Sequence, residues 1–387
     1  MRRRLPVIEE RLELESNPAT ALISVAGENG VTHAIALLHN EIHANMGCLA
    51  STTSPNLTLT SFIAMNTLPS ERPHILQIGR LLPALEAWLR ERYETHALDD
   101  ETDPAAFLAE QGGRFAGVAT SALYGISPEQ IAALPNLRVI SCFGVGVDKI
   151  ALPAARARGI PVGYTPDILN DCVADTAFAL VLDVARSTPE ADRYVRAGLW
   201  EERGPNSFHL GRRVSGARLG IVGLGRIGRT IARRALGFEM DIRYHTRHPV
   251  ADVPWAHEPS LVELARWADF LVVITAGGAG TRHMINAEVL EALGPRSFLI
   301  NVSRGSVVDE RALVRALAEK RIAGAGLDVF EDEPHVPEEL LTMDNVVLLP
   351  HIASATEETR LAMARRTVEN LDLFFAEGRM ISAVPNP

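Results

Sequence analysis

One stretch constrains this chain more than any other: residues 217–228 (ARLGIVGLGRIG), an apolar strand that breaks on a glycine turn and reopens as a helix. Gly223 permits the tight turn, Gly225 lets the backbone approach a pyrophosphate, and Gly228 allows the helix from Ile227 to Leu236 to lie against the strand. Arg226 and Ile227 open that helix, whose free N–H groups and positive dipole end favour a phosphate. With 29 glycines in the chain, three at this spacing mean little alone. The strand before them, the helix after them and a second strand from Met240 to Tyr244 supply the context a dinucleotide cradle requires.

A chain of 387 residues has room for two domains with full cores and an appendage. No apolar run approaches the length of about 18 residues that a membrane span needs. The opening Met1-Arg2-Arg3-Arg4 is followed by Glu9, Glu10, Glu13 and Glu15 where an export signal would be apolar, so no export is expected. The net charge of −10 argues against a nucleic-acid or anionic-membrane partner. Cys48, Cys142 and Cys172 are too widely spaced for a disulfide framework or a zinc site, so no metal is expected and a cytoplasmic setting fits.

Residues 1–71 read as an extension, expected to be poorly ordered. Within it the spacing of Val31, Ile35, Leu38, Ile42 and Met46 predicts a helix from Gly30 to Met46, followed by a Ser/Thr/Asn-rich segment from Ser51 to Ser61. Met65 is an alternative initiator. The words GENGV (27–31) and ALLHNEI (36–42) are similar to the C-terminal tail of the flavin-dependent L-2-hydroxy-acid oxidases. They include none of that family's catalytic positions and transfer no activity.

From His74 onward, apolar strand runs alternate with periodic helices, the pattern of parallel sheets covered on both faces. The reading is α/β, with two doubly wound parallel-sheet domains. Residues 72–170 and 355–387 form an outer, flavodoxin-like substrate domain, and 171–354 an inserted Rossmann nucleotide domain. A long helix capped by Asn170 or Asp171 carries the chain into the second domain, and one from Thr356 to Glu377 returns it. Residues Arg193 to Arg213 read as an irregular link.

Three polar residues stand at or just past strand ends, where open α/β sheets hold ligands. Arg304 ends NVSRG, Glu333 lies in DVFEDEP, and His351 follows VVLLP. Reduction of a 2-keto acid by a nicotinamide needs a cation for the carboxylate and carbonyl, and an acid for the developing alkoxide. It also needs a group that keeps the acid charged. Arg304 suits the first role by its planar donor fork, His351 the second, and Glu333 the third by stabilising an imidazolium.

The words GLGRIG (223–228), TRHMINAEVL (281–290), NVSRGSVVDE (301–310), GLDVFEDEP (326–334) and LPHIASAT (349–356) resemble the D-isomer-specific 2-hydroxyacid dehydrogenases, in the glyoxylate/hydroxypyruvate reductase branch. The likeness runs from about residue 74 to the C-terminus and implies Arg304, Glu333 and His351 as the catalytic set, with Glu331 and Asp332 as plain solvated residues. It implies that backbone N–H groups of Val145 and Gly146, in the loop Gly144 to Asp148, hold the substrate carboxylate beside Arg304. Thr275, Asn301, Val302 and Asp328 then match nicotinamide-side and ribose-side contacts, and a homodimer is implied. The substrate would lie near Ser121, Leu123 and Tyr124, with Trp200 reaching in from a partner subunit.

Cofactor choice is read from the end of the second strand, where an NAD enzyme carries Asp or Glu. Here Thr246 and Arg247 stand, with Arg243, His245 and His248 nearby, so NADPH is expected ahead of NADH. The expected reaction reduces glyoxylate or hydroxypyruvate to the D-2-hydroxy acid. Two alternatives are a reductase of a larger 2-keto acid such as hydroxyphenylpyruvate, and a non-catalytic nucleotide-sensing binding protein. A formate dehydrogenase would carry Gln at the place of Glu333, and no room remains for the regulatory domain of a phosphoglycerate dehydrogenase.

Overall fold

The computed structural model describes residues 21–27, 30–36 and 72–385. The chain divides into two compact units, residues 1–69 and 70–387. In the first, strands β1 (Ala21–Gly27) and β2 (Gly30–Ala36) pair antiparallel, with Gly27 opposite Gly30. The helix expected from Gly30 to Met46 is thus replaced over its first seven residues by a strand, while residues 37–46, 51–61 and Met65 lie outside the described residues. The physical reason is local. Ile23, Val25, Val31, Thr32 and Ile35 are β-branched and favour extended strands, a preference that the helical spacing of Val31 and Ile35 concealed.

The second unit holds two parallel sheets. The first comprises β3 (His74–Gln77), β4 (Glu94–Ala97), β5 (Gly117–Ser121), β6 (Val139–Phe143) and β7 (Val162–Gly163), in the order β4-β3-β5-β6-β7. Every residue of β5 and β6 is buried, as central strands covered on both faces require. The intervening helices start on sequence signals. Asp103 accepts the N–H of Ala106 at 3.0 Å ahead of Pro104, and Ser127 and Gln130 form a reciprocal capping box ahead of Pro128.

The second sheet comprises β8 (Arg218–Val222), β9 (Asp241–His245), β10 (Ala256–His257), β11 (Phe270–Val273), β12 (Phe298–Asn301), β13 (Gly324–Leu327) and β14 (Val346–Leu348). Its order is β10-β9-β8-β11-β12-β13-β14, so the winding reverses between β8 and β11, directly beside the glycine turn. The edge strand β10 had no apolar run to announce it. Asp269, just before β11, clamps Arg218 at the start of β8 through Nε (3.1 Å), Nη2 (3.0 Å) and the backbone N–H (2.9 Å).

Helix Asn170–Arg186 lies against this second sheet, burying Val173, Ala177, Leu180, Val181 and Val184. Each of the valine and leucine side chains contributes about 1.5–3 kcal/mol. A Cβ on Gly326 would stand 3.0 Å from the Cβ of Leu180, so glycine sets how closely β13 and the helix approach. Neither Asn170 nor Asp171 caps this helix, contrary to expectation. Leu169 occupies the cap without a side-chain bond, and Asp171 instead receives Arg234 at 3.2 Å. The stretch from Arg193 to Gly204 is likewise not irregular, since Thr188–Arg196 and Leu199–Arg203 are helical. Helix Glu357–Glu377, capped by Thr356, packs on β6 and helix Pro83–Arg92 and so returns the chain to the first sheet. Among the described residues no helix is long and apolar enough to cross a membrane.

Candidate active site

The carboxyl ends of the two sheets face a common cleft of about 890 Å³. From the second sheet it is lined by Gly225, Arg226, Ile227, Gly228, Thr275, Val302, Arg304, Asp328 and His351, and from the first by Ser121, Leu123 and the loop Gly144–Asp148. Sequence-distant candidates therefore meet in one place. Gly223 lies beneath it with φ of +101°, a conformation that glycine adopts without steric cost. A Cβ on Gly228 would fall 2.1 Å from the carbonyl oxygen of Gly223, so the helix Arg226–Leu236 seats against the turn only with glycine there. A Cβ on Gly225 would meet nothing within 4 Å. The open face of Gly225 and the helix N-terminus beside it fit a pyrophosphate.

His351 Nδ1–H donates to Glu333 Oε2 at 2.8 Å, and the N–H of Phe330 donates to the other carboxylate oxygen at 3.1 Å. Burial alone would raise the Glu333 carboxyl. The hydrogen bond and charge of His351, the Phe330 N–H and Arg304 together hold it below its ordinary value of 4.5. Glu333 is absent from the cleft wall, so it meets the substrate space only through His351. His351 itself has φ of +54°, a left-handed conformation that costs a non-glycine residue about 1–3 kcal/mol. The turn is held by Asp328, whose two carboxylate oxygens accept the N–H groups of Ile352 (2.7 Å) and Ala353 (2.9 Å). Burial raises the Asp328 carboxyl in spite of those two bonds.

Arg304 projects from the turn after β12. Asn301 shapes that turn: it accepts from the N–H (3.1 Å) and Oγ (2.8 Å) of Ser303 and donates to the carbonyl of Arg304 (2.9 Å), so its amide is turned inward rather than toward a cofactor. Arg304 Nε donates to Asp148 at 3.1 Å, and Nη1 donates to the Ser303 carbonyl at 2.8 Å. Nη2 lies so close to Gly146 that a Cβ there would be 1.4 Å from it. The loop that carries Val145 and Gly146 is thereby pinned against the arginine by Asp148. That carboxylate stood in the sequence loop unmarked, because a charged residue after a glycine turn reads as solvated.

Other expectations part from the structure. Glu331 is not a plain solvated residue: Arg282 Nη2 (2.6 Å) and His283 Nε2 (3.0 Å) bind it, tying the loop before Glu333 to the loop after β11. Asp332 is solvated, as expected. Arg243 lies over the Trp267 ring, 4.3 Å from its centroid, and His245 Nδ1 is 3.0 Å from the Glu258 carbonyl oxygen, so neither turns toward a phosphate at the end of β9. Thr246 and Arg247 do stand at that strand end, outside the cleft wall, with Thr246 Oγ1 donating to the His248 carbonyl at 2.7 Å. Tyr124 and Trp200 are exposed and do not line the cleft of this chain.

A glycine cradle, a cation and a histidine–carboxylate pair around one cleft define a nicotinamide-dependent oxidoreductase of small acids. Residues 178–353 match the model of the D-isomer specific 2-hydroxyacid dehydrogenase NAD-binding domain. A glyoxylate/hydroxypyruvate reductase of Arabidopsis thaliana is 43% identical over 310 residues, covering 80% of this chain and 98% of that one. A hydroxyphenylpyruvate reductase of Plectranthus scutellarioides is 44% identical over the same span and coverage. The solved structure of an NADPH-dependent glyoxylate/hydroxypyruvate reductase from Sinorhizobium meliloti, in complex with NADP and malonate, is similar with a TM-score of 0.77 and 44% identity, covering 81% of this chain and 97% of that one. The chain belongs to the D-isomer-specific 2-hydroxyacid dehydrogenase family, in its glyoxylate/hydroxypyruvate reductase branch. It is an oxidoreductase that acts on CH–OH with NAD(P).

Proposed function

We propose that the protein reduces glyoxylate and hydroxypyruvate to the D-2-hydroxy acids with NADPH, His351 acting as the general acid. The 2.8 Å contact between His351 and Glu333, in the cleft that also holds Arg304 and the glycine turn, carries this reading. The strand orders of the two sheets support a Rossmann nucleotide domain and a flavodoxin-like substrate domain, with ligands at the switch point.

The nicotinamide, when bound, supplies the hydride. Gly223, Gly225, Arg226, Ile227 and Gly228 would hold its pyrophosphate, and Thr275, Val302 and Asp328 its nicotinamide half. The N–H groups of Val145 and Gly146, with the Arg304 fork, take the substrate carboxylate and draw charge onto the carbonyl oxygen. His351 donates its proton to that oxygen as the alkoxide forms. Glu333, ionised well into the acid range, keeps the imidazole oriented and its cation stable.

Thr246 and the exposed Arg247, with no carboxylate at the strand end, favour a 2′-phosphate over a free ribose hydroxyl. The Sinorhizobium relative, solved with NADP, supports the same preference, with NADH as the second choice. A cytoplasmic homodimer completes the reading. Leu81, Leu82, Leu123, Phe143 and Met363 give the cleft an apolar wall, and with the Plectranthus relative they support larger 2-keto acids as a second reading. Initial rates of NADPH and NADH oxidation with glyoxylate, hydroxypyruvate, pyruvate and hydroxyphenylpyruvate test both. Fast NADPH turnover of the two small polar acids supports the first reading, and turnover of the aromatic acid alone replaces it by the second.

A further inference from the structure

The cleft carries a guanidinium that the chemistry above does not use. Arg360, the fourth residue of helix Glu357–Glu377, lines the cleft beside Phe143 and Met363. Its guanidinium carbon lies 5.6 Å from the centroid of the Phe143 ring. Four arginines line the cleft, and three of them are paired with carboxylates: Arg80 with Asp100, Arg226 with Asp167 and Arg304 with Asp148. Among the described residues, Arg360 has neither an ion-pair partner nor a side-chain hydrogen bond.

That placement is unfavourable on two counts. The first turn of a helix is its positive end, where a cation is repelled, and a half-buried cation without an acceptor has lost water for nothing in return. Burial accordingly pushes the guanidinium below its ordinary value, with Cys172 and Asp328 opposing. The aromatic face of Phe143 offers it a weak contact of opposite polarity. The apolar side chains of Leu81, Leu82 and Met363 share this wall and leave the charge poorly screened.

Phe143 immediately precedes the loop Gly144–Asp148 that is pinned to Arg304. Arg360 and Arg304 therefore bracket the substrate loop, one at each end. We propose that Arg360 anchors a second carboxylate, so that the cleft accepts dicarboxylic 2-keto acids with one carboxylate at Arg304 and the Val145/Gly146 loop and the other at Arg360. This rests on the reading of the cleft as a 2-keto acid reductase site. A planar guanidinium with all its donors unused matches a carboxylate bidentately, and a neutral methyl tail leaves it unsatisfied.

The test compares kcat/KM of the full chain with NADPH for ketomalonate and oxaloacetate, whose second carboxylates are on the carbonyl carbon and one methylene away, and for pyruvate and glyoxylate. Wild type should reduce at least one dicarboxylic acid about tenfold better than pyruvate. Arg360→Met should cut the ratio of dicarboxylic to glyoxylate kcat/KM by about tenfold or more, chiefly through KM, and Arg360→Lys should restore part of it. NADPH binding by fluorescence shows that each variant is folded; if Arg360→Met is not, Arg360→Gln replaces it in the same ratio. Reduction of glyoxylate with no reduction of either dicarboxylic acid overturns the inference, as does an equal loss for every substrate. If wild type reduces none of the four, the 2-keto acid reading itself fails and takes this inference with it.

Discussion

Replacing Glu333 by Gln removes one charge from behind His351 and keeps the side chain's size. Glu333 Oε2 is 2.8 Å from His351 Nδ1, and the two side chains are 21% and 30% exposed, so the pair is only partly screened. A hydrogen bond to a charged group of this kind contributes about 1.5–3 kcal/mol, which corresponds to a fall of about tenfold to somewhat over a hundredfold in kcat. The amide can still accept the Phe330 N–H, so folding and NADPH affinity should change little. The pH dependence is the sharper readout. Because the native Glu333 carboxyl lies below 4.5, its contribution is fully present above that value and disappears as the pH falls through the lower native value. The wild-type to Glu333→Gln rate ratio should therefore stand above one from about pH 8 down to about pH 5 and shrink toward one as the pH falls below that. Stopped-flow NADPH oxidation across that range measures it. A variant with the wild-type kcat, or a ratio that does not shrink as the pH falls below about 5, would refute the assignment.

Gly146→Ala places a Cβ on the Arg304 Nη2 position and should lower kcat/KM for 2-keto acids by about tenfold or more, with thermal stability nearly unchanged because the displaced group is a side-chain end; unaltered kinetics would show that the loop and the arginine do not act together. Thr246→Asp with Arg247→Ala should swing the NADPH to NADH ratio of kcat/KM toward NADH by about tenfold or more, since a carboxylate repels a 2′-phosphate; an unchanged ratio sinks the reading of that strand end. Asp269→Asn should lower the melting temperature by a few degrees, because Asp269 holds three donors of Arg218 across the central strands β8 and β11. Burial would raise the Asp269 carboxyl, but Arg218 holds it below 3.8, so the deficit should be present above that value and fade as the pH falls below it. A deficit that grows on acidification would contradict the sign.

The sequence carried the alternation of strands and helices from His74 onward because buried parallel strands are apolar runs and the helices between them begin on Asp103-Pro104, Ser127-Pro128 and Thr356. It carried Arg304, Glu333 and His351 because each follows a strand end. What it did not carry depends on neighbours far along the chain. Asp148 belongs to Arg304 across 156 residues, Glu331 to His283 across 48, and Arg360 gains its meaning from Phe143 and from having no ion-pair partner among the described residues. The hairpin of β1 and β2 was missed for a different reason: Val31 and Ile35 satisfy helical spacing, and the β-branched Ile23, Val25, Val31, Thr32 and Ile35 outweigh it.

The account rests on His351 as the proton donor, and His351→Asn tests it most directly. NADPH oxidation with saturating glyoxylate and hydroxypyruvate, measured beside NADPH binding by fluorescence, separates chemistry from cofactor affinity. The account predicts a rate lowered by about a hundredfold to ten-thousandfold with binding intact. A nearly normal rate would contradict it and move the acid to another group.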